Sequence, residues 1–439
     1  MLTCGHSFWN RRGLKSKLLD KIKRISTPTG VLVCMLSALV VFNIIFSVRT
    51  VGPPANDSPS SADVYASGSD VSGGDAVEEE PHKIESLSSE LRSELGQIFY
   101  LNGTANASVA VIVDGQVCYH HEYGFADVLS RRAMNPTTKM RVASLTKVVG
   151  AMMTLSLCED RKLTLDDDVS KILGYRISQN ADEEHIVTVR DLLLHISSLD
   201  DSDNLKFNRT PWASLKDQIK GCQTRSKPGE KYNYANINYM INGAIIEKIS
   251  GQYLQEFAYK RFFGPMGLDC GYDAATMKDT SDFAILYDDK GGLRLDVERQ
   301  STPKDRRDLG ENYALGAGGL MTNAADLAAL VTVLINDGEY FGERYLSEKS
   351  VALMETPAFD CEGYQQCIGL RTRSDFLGDR TIYYHNGFAY GVCSLLLYDK
   401  EARSGVVIIT SGASFNMTDG MYEVCRAAAE ALYAGIEGM

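Results

Sequence analysis

Strand-forming segments lie on both sides of a long helical stretch in this chain. Residues 107–119 place Asp114 and Gly115 between two apolar runs, the pattern of a β-hairpin. Residues 381–412 contain three further apolar runs, TIYYH, YGVCSLLLYD and SGVVIITSG, which predict strands. Helical spacing dominates about residues 144–345. We therefore expect an α+β fold, in which an antiparallel β-sheet is flanked by helices and carries an inserted all-helical subdomain.

An uncharged apolar segment precedes this folded region. Residues 30–48 (GVLVCMLSALVVFNIIFSV) carry no charge, and as a helix they would span roughly 28 Å, close to the thickness of a bilayer's hydrocarbon core. The basic residues within 1–29 should hold that tail in the cytoplasm. The sequence thus predicts one N-terminal transmembrane helix, an uncleaved signal anchor that places the rest of the chain outside the cell or in a lumen. The mitochondrial inner membrane is the lesser alternative.

The composition after the apolar segment separates a stalk from a folded domain. Residues 49–90 are rich in Ser, Gly, Pro and acidic residues and have few large apolar ones. Such a composition buries too little surface to order itself, so we expect a flexible acidic stalk before a folded domain at residues 91–439. The net charge of the chain is −12, which argues against nucleic-acid partners because these need clustered positive charge. The oligomeric state stays open.

Sequons and cysteines fit an extracellular or lumenal location. Sequons that no proline follows make Asn102, Asn106 and Asn416 candidates for glycosylation. Cys361 and Cys367 close a short loop and are the favoured disulfide pair. The alternative is that most cysteines beyond the apolar segment are small buried side chains. No Cys/His cluster has the spacing of metal ligands, so we expect no metal and no cofactor.

Ser144 and Lys147 form an SxxK motif at the start of a predicted helix. A spacing of three places the hydroxyl and the amine on one helix face, one turn apart. A serine hydroxyl is a weak nucleophile that needs an adjacent base, and a buried lysine can serve as that base. The same spacing recurs at Ser301 and Lys304, but Pro303 and polar neighbours disfavour a helix that would hold that pair together.

Two further motifs carry side chains suited to the same chemistry. Tyr234 and Asn236 form a YxN motif before a helical segment. A phenol can shuttle protons, and the amide can bond both a lysine and a substrate carbonyl. His385 and Gly387 form an HxG motif at the end of a predicted strand, where glycine lets a substrate approach the strand edge. Taken alone, Tyr234 could cap the helix and His385 could be structural.

Together and in this order, the three motifs resemble those of the serine β-lactamase and penicillin-recognising family. The similar branch contains class C β-lactamases, D-Ala-D-Ala carboxypeptidases of the HxG type, related esterases, D-aminopeptidases and eukaryotic β-lactamase-like proteins. The resemblance covers about residues 100–436 and includes the stretches MRVASLTKVVGAMM, GEKYNYANINYMINGAIIEKISG and GAGGLMTNAADLAALVTVLINDG. It implies the β-lactamase/transpeptidase-like fold.

The resemblance also implies a role for each residue of the first two motifs. Ser144 would be the nucleophile that forms an acyl-enzyme, and Lys147 would be its general base or proton relay. Tyr234 would be the partner base and acid. Asn236 would contact the substrate amide.

The third motif implies the rest of the site and contains a departure from the family. His385 stands where other members have Lys, and it would lend polarity or positive charge beside the motif tyrosine. The backbone N–H groups of Ser144 and Phe388 would form the oxyanion hole, next to Gly387. Asn386 stands where members commonly have Thr or Ser, whose hydroxyl meets a substrate carboxylate. The Asn386 amide can donate a hydrogen bond, but its shape differs.

A second departure lies at residues 195–198 (HISS), where members have His-x-Ser-Gly. Loss of the glycine predicts a local change of this loop. No function is assigned to His195.

These features predict a membrane-anchored serine hydrolase that acts through a Ser144 acyl-enzyme on an ester, amide or peptide, as a peptidase or esterase does. The expected partners are a small-molecule or peptide substrate and, through residues 30–48, the membrane. True β-lactamase or D-Ala-D-Ala carboxypeptidase activity is the alternative, which Asn386 disfavours. An alternative of another class is a catalytically inactive scaffold that binds partners or self-assembles. It is disfavoured because a scaffold does not need the polar residues of all three motifs.

Overall fold

The computed structural model describes residues 84–206, 209, 211–303 and 305–436. The predicted cytoplasmic tail, the apolar segment at residues 30–48 and the stalk up to residue 83 lie outside these residues. Within the part of the chain that is described, no helix is both long and apolar enough to cross a membrane.

The strands are numbered along the chain. They are β1 (Glu85–Ser86), β2 (Asn106–Val113), β3 (Gln116–Asp127), β4 (Arg132–Ala133), β5 (Met140–Arg141), β6 (Leu286–Tyr287), β7 (Leu293–Leu295), β8 (Met321–Thr322), β9 (Glu339–Tyr340), β10 (Glu343–Arg344), β11 (Phe359–Cys361), β12 (Tyr364–Gln366), β13 (Arg371–Arg373), β14 (Ile382–Ala389), β15 (Val392–Asp399), β16 (Ser404–Ser411), β17 (Met417–Thr418) and β18 (Met421–Tyr422).

The α-helices are numbered in the same way. They are α1 (Ser89–Leu101), α2 (Thr146–Glu159), α3 (Val169–Leu173), α4 (Val189–Leu193), α5 (Asp203–Lys206), α6 (Leu215–Lys220), α7 (Asn236–Ser250), α8 (Leu254–Ala258), α9 (Val297–Ser301), α10 (Leu315–Gly318), α11 (Ala324–Ile335), α12 (Glu348–Glu355) and α13 (Glu423–Ile436). Short turns of 3₁₀-helix occupy Ala143–Leu145 and Ala274–Thr276, and a π-helical turn occupies Tyr259–Phe263.

Strands from both ends of the described region meet in one sheet. The strand order is β1-β3-β2-β16-β15-β14-β13-β12-β11, with β4 paired to β3. Neighbouring strands are antiparallel except for β1 and β3, which are parallel. The early strand β2 pairs with the late strand β16, with Val109 opposite Ile408. The predicted α+β fold with a central antiparallel sheet is therefore confirmed.

Helices cover both faces of this sheet, and alternate side chains of one strand enter two different cores. Val109 and Val111 pack with α1 and α13 in one core. Ala110 and Ile112, one residue along in each case, pack in the larger core that contains α2, α7 and α11. Burial on both faces explains why the central strands are continuous apolar runs rather than alternating ones.

The predicted helical stretch between the strands packs on one face of the sheet, and glycines let two of its helices approach closely. A Cβ on Gly316 of α10 would lie 2.3 Å from the Tyr239 carbonyl oxygen of α7, and a Cβ on Gly243 of α7 would lie 3.3 Å from the Gly316 Cα. Only glycine permits this backbone contact. The contact brings the end of α10 beside the start of α2.

The predicted Cys361–Cys367 disulfide is wrong, because both residues are free thiols. Cys361 lies opposite Tyr364, whereas Gln366, which precedes Cys367, lies opposite Phe359. This register separates the two cysteines by about three residues, or roughly 10 Å, along the hairpin. A disulfide needs Cα atoms within about 7 Å.

The glycosylation candidates occupy different environments. Asn106 is fully buried, and its Nδ2 donates hydrogen bonds to Phe125 O at 3.1 Å and Ile285 O at 3.0 Å. Glycosylation of Asn106 is therefore incompatible with this fold. Asn416 is exposed, and the half-buried Asn102 donates to Ile98 O. For these two residues glycosylation stays a prediction.

Replacement of Asn106 by alanine should lower the free energy of unfolding by about 2–4 kcal/mol. The reason is that Phe125 O, Ile285 O and Ser411 Oγ, which donates to Asn106 Oδ1 at 2.8 Å, would lose a buried partner. Urea unfolding measures the change. The matched control is Asn416→Ala, an exposed sequon residue that should change stability by no more than about 0.5 kcal/mol. Equal effects of the two substitutions would contradict the structural role of Asn106.

Candidate active site

Ser144 lies in the 3₁₀ turn directly before α2, and a strained residue precedes it. Ala143 has φ +51°, in the left-handed region that costs a non-glycine residue roughly 1–3 kcal/mol. Hydrogen bonds hold this turn: Thr146 Oγ1 donates to Ala143 O at 2.6 Å, and it accepts from Leu320 N at 3.2 Å. These contacts fix the half-buried Ser144 just before the first turn of α2.

Lys147 is fully buried, and three oxygens surround its amine. The Nζ atom lies 2.9 Å from Ser144 Oγ, 2.9 Å from Asn236 Oδ1 and 2.7 Å from Ala317 O. All three acceptors are uncharged. An ammonium can donate one hydrogen bond to each of them, and a neutral amine can donate to Asn236 Oδ1 and Ala317 O while it accepts from the Ser144 hydroxyl. Either form therefore has hydrogen-bond partners that offset the cost of its burial. The predicted SxxK pair is therefore in hydrogen-bond contact.

Asp201 fixes the orientation of Asn236, and the sequence analysis did not identify it. Asn236 begins α7, whose cap residue Ala235 makes no side-chain hydrogen bond. Asp201 takes the capping role: its Oδ1 accepts from Ile237 N at 2.9 Å, and its Oδ2 accepts from Asn236 Nδ2 at 2.8 Å. With Nδ2 engaged, Oδ1 of Asn236 is left facing Lys147. A carboxylate at a helix N-terminus is also favoured by the helix dipole.

The half-buried ring of Tyr234 lies among two cations and two imidazoles. Lys147 Nζ and Arg371 Cζ each lie 5.2 Å from the ring centroid. The ring centroid of His195 lies 4.4 Å away and that of His385 lies 6.2 Å away. The structure thus brings one residue from each of the other two motifs to Tyr234, together with Arg371 and His195, which the sequence had not placed there.

Both imidazoles are neutral in the folded protein. Burial, followed by the charges of Lys147 and Arg371, holds the pKa of His195 well below its usual range. Burial, followed by the charge of Arg371, does the same to the pKa of His385. His195 Nδ1 accepts from Ala235 N at 3.2 Å, whereas His385 Nδ1 donates to Asn386 O at 2.7 Å. Of the two contributions expected from His385, polarity or positive charge, this lowered pKa favours polarity.

The third motif lies inside strand β14 rather than at its end, since β14 continues to Ala389. A Cβ on Gly387 would lie 2.8 Å from Val142 O and 3.0 Å from Ser144 N. The strand backbone thus runs directly against the Ser144 turn, and glycine is required for this approach. Phe388 is the next residue along this strand.

Asn386 and Phe388 carry side chains with different environments. Asn386 Oδ1 accepts from Arg371 Nη1 at 3.0 Å, and Asn386 Nδ2 donates to Gly420 O at 2.7 Å. Its amide is therefore used for contacts within the protein. Phe388 is 44% exposed, and its ring packs on Phe415 and Tyr422.

The loop at residues 195–198 keeps the conformation that glycine favours. Ser198 has φ +65°, in the left-handed region. Its Oγ pairs with Ser178 Oγ at 2.6 Å, and its carbonyl accepts from Thr224 Oγ1 at 2.8 Å. These contacts hold the serine in a backbone conformation that suits glycine, so the expected change of the loop is not needed to accommodate it.

Comparison with known proteins places this site in a family. The sequence model of the family described as "Beta-lactamase" matches residues 100–424. The chain belongs to the β-lactamase family. "Protein flp" of Staphylococcus aureus strain N315 is 24% identical over 312 residues, which are 70% of this chain and 59% of that protein. A D-aminopeptidase of Brucella anthropi is 29% identical over 230 residues, which are 51% of this chain and 41% of that protein.

The chain thus spans less than two thirds of the length of these two relatives. A similar solved structure is that of the octameric penicillin-binding protein homologue from Pyrococcus abyssi, with a TM-score of 0.62 and 24% identity over 79% of this chain and 77% of that chain. This likeness shows that the chain has the β-lactamase/transpeptidase-like fold. Among the described residues, no group of three or more His, Cys, Asp or Glu side chains is arranged to hold a metal ion.

Three residues of this β-lactamase-family site could not be found from the sequence motifs. Asp201, His195 and Arg371 each reach the site from segments outside the three motifs. The only sequence signal was the HISS stretch at His195. Asp201 follows another aspartate in a polar segment, and Arg371 lies in the short stretch RTR, so neither stands out.

The two neutral imidazoles predict a pH dependence of stability. Each has a folded-state pKa below the unfolded value of about 6.5, so the unfolded state binds more protons once the pH falls below 6.5. The free energy of unfolding should therefore fall with decreasing pH, at a slope that approaches about 1.4 kcal/mol per pH unit for each residue. His195→Asn should reduce this slope by about that amount between pH 6 and 5, as measured by urea unfolding at each pH.

His120 provides a control of opposite sign. Burial lowers the pKa of His120, but the hydrogen bond and charge of Glu122 outweigh burial and leave the pKa raised. His120 thus adds stability that is fully present below about pH 6.5 and is lost as the pH rises through its folded-state pKa. His120→Asn should therefore remove a decline in stability above pH 6.5 and leave the slope between pH 6 and 5 nearly unchanged. An unchanged slope in His195→Asn would show that His195 is not neutral in the folded protein.

Proposed function

We propose that this member of the β-lactamase family is a serine hydrolase that acts through an acyl-enzyme on Ser144, with an ester, amide or peptide as substrate. The observation that carries the proposal is the 2.9 Å contact between Lys147 Nζ and Ser144 Oγ, made by a lysine that is fully buried. A base held at this distance in a site shielded from water can activate a serine hydroxyl.

Acylation begins with attack of Ser144 Oγ on the substrate carbonyl carbon. The hydroxyl proton passes to the neutral amine of Lys147, and the resulting ammonium is stabilised by Asn236 Oδ1 and Ala317 O. Tyr234 donates its phenolic proton to the leaving atom as the bond from the carbonyl carbon to that atom breaks and the electron pair moves to it. The proton on Lys147 then restores the Tyr234 phenol. Water repeats the sequence in deacylation.

The negative charge on the substrate oxygen requires donors in fixed positions. The backbone N–H groups of Ser144 and Phe388 are proposed for this role. The close approach of Gly387 to Ser144 N supports the proposal, since Phe388 is the next residue after Gly387. A side chain at position 387 would separate β14 from Ser144 N.

The environment of Asn386 favours the peptidase or esterase reaction over β-lactamase or D-Ala-D-Ala carboxypeptidase activity. Those two activities need a donor for a substrate carboxylate at the position that Asn386 occupies, and here the amide is hydrogen bonded to Arg371 and Gly420. The similarity to a D-aminopeptidase of Brucella anthropi agrees with an amide or peptide substrate. A catalytically inactive scaffold is the remaining candidate of another class.

We also propose that residues 30–48 anchor the protein in a membrane, with the N-terminus cytoplasmic and the hydrolase domain extracellular or lumenal. The support for this location is the uncharged length of the segment and the basic residues before it.

The nucleophile can be tested by intact-mass spectrometry of the purified protein after treatment with a fluorophosphonate. One adduct is expected, and it should be absent in Ser144→Ala. Lys147→Met should slow adduct formation about 10²–10⁴-fold, because the base is lost while the apolar stem is kept.

Ser301→Ala is the matched control, because Ser301 stands in the second SxxK spacing of the chain but ends the short helix α9. It should label like the unmodified protein. An adduct that persists in Ser144→Ala would remove Ser144 from its proposed role. Failure of the unmodified protein to label with the fluorophosphonate or to hydrolyse aryl esters would favour the scaffold.

A further inference from the structure

Arg371 of β13 lies between two tyrosine rings at the candidate site. Its Cζ atom is 5.2 Å from the Tyr234 ring centroid and 4.6 Å from that of Tyr364. Its Nη1 donates to the neutral acceptor Asn386 Oδ1. Its Nε is buried, and no hydrogen-bond acceptor pairs with it among the described residues. The positive charge of the guanidinium therefore acts mainly on the two tyrosine rings.

Of the four basic side chains around the Tyr234 ring, Arg371 differs from the others in its charge. His195 and His385 are neutral. Lys147 gains a proton from Ser144 and then passes it to Tyr234 in the proposed reaction, so its charge changes within each turnover. Arginine stays protonated throughout. Arg371 is thus the constant positive charge beside Tyr234.

We propose that Arg371 is a positioning residue for the proton transfer made by Tyr234, and that its charge stabilises the phenolate that forms when Tyr234 protonates the leaving group. This inference rests on the proposed function. In the step concerned, the Tyr234 proton moves to the leaving oxygen or nitrogen, which keeps the electron pair of the broken bond to the carbonyl carbon. The negative charge then resides on Tyr234 until the Lys147 ammonium returns a proton.

The leaving group distinguishes this role from a purely structural one. A leaving group that departs readily as an anion needs little protonation, whereas a more basic one depends on the proton from Tyr234. Loss of the Arg371 charge should therefore penalise substrates with basic leaving groups most. A structural defect would lower the rates of all substrates by the same factor.

The test compares kcat/KM for 4-nitrophenyl acetate and phenyl acetate, two esters with the same acyl group, because kcat/KM reports on the steps up to acylation. In Arg371→Gln we expect a loss of about 10²-fold with phenyl acetate and of less than about 10-fold with 4-nitrophenyl acetate. Arg371→Lys, which keeps a positive charge, should restore most of the activity with phenyl acetate.

Arg373→Gln is the matched control. Arg373 lies two residues along the same strand, but it bonds to Asp375 and to the carbonyl of Asp419. It should leave both rates close to those of the unmodified protein. Thermal unfolding of each variant shows whether it is folded. If Arg371→Gln is unfolded, Arg371→Lys is used instead. A loss with phenyl acetate in Arg371→Lys that is as large as its loss with 4-nitrophenyl acetate would contradict the inference.

Two outcomes would overturn the inference while the proposed function stands. The first is an equal loss with both esters in a folded Arg371→Gln protein that still labels at Ser144 with the fluorophosphonate. The second is a loss confined to a raised KM for monophenyl succinate, with phenyl acetate unaffected, which would assign Arg371 to binding a substrate carboxylate. Absence of the Ser144 adduct in the unmodified protein would instead count against the proposed function.

Discussion

The hydrogen bonds of the buried Lys147 amine are the interaction on which the site depends. Its three acceptors come from three separate segments: the turn before α2, the start of α7 and the end of α10. A buried ammonium that lost one of these oxygens would be left with an unpaired N–H in a place that water does not reach. The three segments must therefore meet, and the glycine contact between α7 and α10 is what allows α10 to come close enough.

The sheet contributes to the site through the same kind of close approach. Gly387 lets β14 run against the Ser144 turn, so the strand that carries the third motif and the turn that carries the first become neighbours. Ala143, which lies in that turn, and His195, which packs on Tyr234, both have left-handed conformations. Backbone strain of this kind is retained where surrounding contacts determine it, and here those contacts hold Ser144 and the imidazole that packs on Tyr234.

Most of the architecture could be predicted from the sequence, because apolar periodicity reports directly on burial. The hairpin expected at residues 107–119 is β2 and β3, and the three late apolar runs are β14, β15 and β16. The predictions that failed concerned pairs and environments. The Cys361–Cys367 disulfide failed because strand register, not sequence distance, separates the two thiols. The sequon at Asn106 gave no sign that this residue is fully buried at the start of β2.

The sequence by itself determined that Ser144 and Lys147 lie one helical turn apart, since residues three positions apart on a helix are neighbours whatever the rest of the chain does. It also determined which segments are strands and helices. Only the tertiary structure decided that Asp201 orients Asn236, that His385 is neutral and that Arg371 lies beside Tyr234. These properties depend on burial and on contacts between residues distant in the chain, and the local spacing of residues determines neither.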